Sequence, residues 1–126
     1  MIELYNTKTG ELSTVASWPT ASPHFVITKP ISNPDIDTSE FFNVTHVRST
    51  AIALGPFRDP DVARMCAVIM GSLPLPWDEF SMAVSRMYKQ PDPKQMERFK
   101  EAWSKLPPEI HKWQKAVSDA CLDGEL

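Results

Sequence analysis

Side chains able to do chemistry are few in this chain and far apart. The histidines are His24, His46 and His111, and none lies three to five positions from another His or a Cys. Zinc sites that draw two ligands from one short turn need that spacing, so a local metal motif is not expected. A metal or acid–base centre would have to be assembled in space, from His24, His46 and the acidic pair Asp35 and Asp37. The simpler expectation for a strand histidine is a backbone hydrogen bond or open water. Ser49 follows His46 at a spacing that lets a histidine act as base toward a hydroxyl. No glycine-flanked elbow surrounds that serine, which argues against a hydrolase. Asp35 and Asp37 have the composition of a metal–phosphate contact, but a solvated acidic loop accounts for them as well.

The remaining reactive groups point the same way. Cys66 and Cys121 lie 55 positions apart in apolar, helical surroundings with no CxxC spacing. Such surroundings raise a thiol pKa and make an inert core residue. No secretory apolar stretch opens the sequence, so a reduced, cytoplasmic thiol pair is expected rather than a disulfide. Glycine occurs only at positions 10, 55, 71 and 124, each at a junction. That leaves no Gly-rich phosphate cradle, GxGxxG or Walker A sequence, and no nucleotide cofactor is expected. No apolar run approaches the ~20 residues of a membrane helix, so no membrane partner is expected.

Charge and aromatic content suggest binding instead. The net charge is −3, which disfavours nonspecific nucleic-acid binding by the whole molecule. Between Arg86 and Lys115, however, eight Lys and Arg face four acids, a local excess of +4. Arg98, Lys100, Lys105, Lys112 and Lys115 are the candidate phosphate contacts, with Tyr88, Phe99, Trp103 and Trp113 interleaved as stacking groups. Those aromatics fall on helical core stripes, which makes ordinary solvated helix faces the simpler reading. Four Trp, six Met and six Phe are generous for 126 residues. Trp18, Phe25, Phe57 and Trp77 sit beside prolines or turns, as does Phe41, and the first four are the candidate anchors for a protein partner.

The elements that must position these groups follow from periodicity and from twelve prolines. Residues 2–15 read as a hairpin turning through residues 6–10. Residues 16–23 read as loop, 24–28 as a short strand, and 30–40 as an exposed acidic loop. Residues 41–54 are rich in β-branched and aromatic types and read as one bent strand or two, ended by Gly55-Pro56. From Asp59 the period changes to that of a helix, with Asp59 as N-cap and Pro60 in the first turn. Residues 61–72 are apolar almost all round, which predicts a buried central helix. Narrower stripes predict a helix over 77–89, another from Asp92-Pro93 with Gln95 completing a capping box, and a last one from Pro108.

The prolines also suggest a repeat. Aligning 59–91 with 92–124 matches Asp, Pro, Leu, Pro, Ala, Val and Ser, seven identities where chance gives about two. Duplication and convergence of two helical hairpins both account for this. The expected fold is α+β and single-domain: a small antiparallel sheet in 1–56 packed against a four-helix unit in 59–122, with a flexible acidic tail, 123–126. The expected function is a non-catalytic protein–protein interaction module, self-association included, of the kind used as accessory, inhibitor or assembly factors by phages and other mobile elements. The alternative is a nucleic-acid-associated protein using the basic faces of the last two helices. The third reading is an enzyme centred on His24, His46 and Asp37.

Overall fold

The computed structural model describes residues 1–5, 11–31, 39–78 and 93–126. The class is α+β, with two antiparallel sheets and three helices among these residues. β1 (Ile2–Tyr5) pairs with β2 (Leu12–Val15), as the hairpin reading expects. A second sheet carries β3 (Ser17–Pro19), β4 (Phe25–Thr28), β5 (Phe42–His46) and β6 (Ile52–Phe57), in that order. The single expected sheet is thus two. The stretch read as loop also contributes an edge strand, because Trp18 pairs with Ile27 across the ladder. The 41–54 region is two strands rather than one.

Gly55-Pro56 does not end the last strand. The peptide bond is cis, the strand continues to Phe57, and the register against β5 shifts twice on the way. Gly55 has φ of +142°, and a Cβ there would lie 2.3 Å from the Asn43 amide oxygen. Only glycine accepts that conformation in that space.

α1 (Pro60–Ser72) starts as its sequence predicts: the Asp59 side chain accepts from the Asp61 N–H at 2.9 Å, and Pro60 occupies the first helical position. Ala63, Cys66, Ala67 and Met70 form its buried face against the sheet. The rest of its apolar circumference is not buried. Met65 is 66% exposed, Val68 43% and Ile69 37%. These three sit opposite the buried face, so the helix covers the sheet from one side instead of running through a core.

α2 (Pro93–Ser104) and α3 (Pro108–Leu122) complete the described helices. Among the described residues three helices stand where four were expected. Trp77 and Asp78 form a turn, and the rest of the predicted 77–89 helix lies outside the described residues, as do Asp92 of the capping box and most of the first repeat's second half. Phe99 and Trp103 of α2, with Ile110, Trp113 and Val117 of α3, pack against the core formed by Phe25, Ile27, Val44, Leu54 and Phe57. α3 ends in a Schellman arrangement. Glu125 N–H donates to the Ala120 carbonyl and Gly124 N–H to that of Cys121, with Gly124 at φ of +74°.

The expected flexible tail is held in place. The Leu126 carbonyl oxygen accepts the N–H groups of Arg58 and Asp59, each at 2.7 Å, and its side chain packs on the core.

Candidate functional site

The end of β5 places His46 within a set of hydrogen bonds that reach three separate parts of the turn and the chain at Trp77. Thr50 N–H bonds the His46 carbonyl at 2.8 Å, and His46 N–H bonds the Ala51 carbonyl at 2.9 Å. The resulting tight turn puts Thr50 at φ of +58° and folds Ser49 back onto the imidazole. Ser49 Oγ lies 2.7 Å from His46 Nδ1, and the Ser49 N–H points at the same nitrogen from 3.2 Å. On the other side of the ring, Nε2 lies 2.9 Å from the Trp77 carbonyl oxygen. A carbonyl only accepts, so Nε2 carries the proton. Nδ1 is then the acceptor, and the Ser49 hydroxyl donates to it while accepting the Ala51 N–H at 3.1 Å.

This is a neutral imidazole. Burial holds its pKa below the ordinary 6.5, against the opposing pull of the Trp77 carbonyl; the charges of His24 and Arg48 add to the lowering. The ring packs against both Phe25 and Trp77, at centroid distances of 5.6 and 5.4 Å, and those two rings also meet each other edge-on at 4.8 Å. Trp77 in turn donates its indole N–H to the Met70 carbonyl at 3.0 Å and meets Phe99 edge-on.

The serine–histidine contact has the form of a nucleophile and base, but its place in the fold gives it another role. Ser49 has no exposed surface, and its hydroxyl already donates to Nδ1 and accepts from Ala51. The arrangement instead locks the β5–β6 turn to the chain at Trp77. His24 does not join it: its Nδ1 faces the exposed Asp78 carboxylate at 3.5 Å. Asp35 and Asp37 lie outside the described residues. Among the described residues no group of three or more His, Cys, Asp or Glu can hold a metal ion.

The candidate partner anchors are placed differently from expectation. Phe25, Phe57 and Trp77 are core residues with almost no exposed surface. Trp18 remains partly accessible on edge strand β3, its ring edge against Phe42. Local sequence put them near turns, but turns in this fold close over the core. The candidate phosphate contacts Arg98, Lys100, Lys105, Lys112 and Lys115 are all exposed. Lys105 is paired with Glu101 and Lys115 with Asp119 one helical turn away. The interleaved Trp103 and Trp113 are half-buried, with Trp103 against His111.

Two features were not singled out by sequence. One is the outer face of α1, with Met65, Val68 and Ile69. Those apolar residues were visible, but all-round hydrophobicity pointed to burial. The other is a cavity of about 420 Å³ beside His46, between the β5–β6 turn, the end of α1, and α2. Ile52, Met70, Trp77, Met96, Phe99 and Trp103 give it apolar walls, and Lys100 and Gln114 are its polar members besides His46 and Ser49. Its walls come from five separate stretches, so no local spacing announces it. No family model, curated protein or solved structure matches the chain. Among the described residues no helix is long and apolar enough to cross a membrane.

Proposed function

We propose that this protein is a non-catalytic interaction module that docks on a protein partner through the outer face of α1. The supporting observation is the exposed stripe of Met65, Val68 and Ile69, spaced i, i+3, i+4 on a helix whose opposite face is fixed to the sheet. Water-exposed apolar side chains grouped on one rigid helix face are what helix-mediated recognition uses. Methionine adds adaptable contact area at such a surface. Asp61 and Arg64 pair with each other at 3.1 Å near the start of the helix and give the patch a polar rim.

The test is affinity capture from host lysate, with and without nuclease, comparing the native chain with Met65→Glu/Ile69→Glu and with Lys100→Glu/Lys112→Glu. The expected result is a stoichiometric protein that survives nuclease and the lysine changes but is lost with the α1 changes. Both α1 positions are exposed, so circular dichroism should show an intact fold in that variant. Retention of the partner by the α1 variant would overturn the reading. Loss on nuclease treatment would replace it with nucleic-acid binding through α2 and α3.

A further inference from the structure

We infer that the cavity beside His46 is a binding site for a small apolar carboxylate, an aliphatic or aromatic body with one anionic end. It is separate from the outer face of α1 and does not depend on how that face is used.

The volume of about 420 Å³ falls in the range of small-molecule sites. The chemistry of the walls selects the ligand. Met70, Trp77, Met96, Phe99 and Trp103 supply thioether and ring surface. The polar groups at the inner end are already engaged with one another: His46 Nδ1 with Ser49, His46 Nε2 with the Trp77 carbonyl, and Ser49 Oγ with Ala51 N–H. No buried side-chain polar atom among the described residues lacks a partner. A polar group pushed to that end of the cavity would lose its water and find no compensating bond, so the ligand body must be apolar.

The outer end is different. Lys100 is exposed on α2 and lines the cavity, and no ion pair engages it among the described residues. Gln114 faces the same space from α3 and keeps its amide close to Ser118 at 3.1 Å. Among the described residues no carboxylate lines the cavity. One cation among the described lining residues, at the edge of an apolar chamber with no described carboxylate in its walls, complements an amphiphile whose single charge is negative.

The experiment titrates the protein with dodecanoate below its micelle concentration, following tryptophan fluorescence and binding heat. Trp77 and Trp103 line the site and report occupancy directly. The expected result is saturable binding of one molecule per chain, weaker for dodecanol and weaker still for dodecyltrimethylammonium. Lys100→Glu should reduce dodecanoate affinity by about tenfold or more while leaving dodecanol unchanged. Ala53→Met, which fills the cavity from β6, should abolish both, with circular dichroism confirming the fold. Absence of saturable binding, equal binding of the cationic amphiphile, or indifference of dodecanoate to Lys100→Glu would each overturn the proposal.

Discussion

His46, a residue type associated with catalysis, holds a structural position in this fold. It joins the β5–β6 turn to the chain at Trp77 and packs in one cluster with the rings of Phe25 and Trp77. His46→Ala would strand the Ser49 hydroxyl and the Trp77 carbonyl in a buried site, at a cost of about 2–4 kcal/mol. Urea denaturation at neutral pH checks this as a fall in midpoint. The pH dependence has a definite sign. The folded-state pKa lies below the ordinary 6.5, so on acidification the unfolded chain takes up a proton before the folded one does. His46 therefore contributes its full stabilisation above pH 6.5, and that contribution declines as pH falls from there toward the depressed value. Burial is the main cause of the depression; His24 and Arg48 deepen it, and the Trp77 carbonyl and the Asp78 carboxylate oppose it. Comparing native and His46→Ala stability between pH 5 and 8 should show a gap that narrows toward acid; a constant gap would contradict the neutral-imidazole assignment. The cysteines are simpler. Cys66 and Cys121 are free and buried, and burial pushes the Cys66 thiol up to about 11, with Cys121 as its neighbour.

At the level of elements, α1 decides both the packing and the proposed docking surface. Its small buried residues Ala63 and Ala67 let the helix lie close to the sheet. The approach is closest at Gly71, where a Cβ would fall 2.0 Å from Ser22 Oγ and 2.8 Å from Ser22 Cβ. Gly71→Ala gains helix propensity of at most ~1 kcal/mol, but the overlap costs about 1–3 kcal/mol, so the net effect should be destabilising. Adding Ser22→Gly removes both clashing atoms and should recover most of the loss in thermal denaturation. No recovery would mean that the contact between α1 and the loop before β4 is not what makes glycine necessary.

Across the whole molecule, the two ends of the helical region are tied together through backbone. Leu126 closes onto Arg58 and Asp59, immediately before α1, and Gly124 sits against the Arg58 guanidinium. The chain segment after α3 thereby fixes α3 against β6 and the start of α1. Removing Glu125 and Leu126 frees two backbone donors and part of a packed leucine, which should lower stability by about 2–4 kcal/mol. A melting temperature unchanged by that truncation would show the tail to be incidental.

Much of the local structure was readable from the chain itself. The Asp59 cap with Pro60, the α2 and α3 stripes, the first hairpin and the α+β class all depend on neighbours within a few positions, where propensity and periodicity act. The strand at Trp18 was hidden because an edge strand needs a partner ladder, which Val26, Ile27 and Thr28 supply from further along the chain. The outer face of α1 departs from the expected burial because hydrophobicity around a helix reports what can be buried, and only the packing of the other elements decides which side is. The cavity is less visible still, since Ile52, Met70, Trp77, Phe99 and Gln114 come from separate elements. Sequence determined where turns, caps and apolar stripes fall, because those are local energies. Tertiary structure alone decided that His46 is locked, that Phe25, Phe57 and Trp77 are core, and that α1 presents an open face, because each depends on long-range packing.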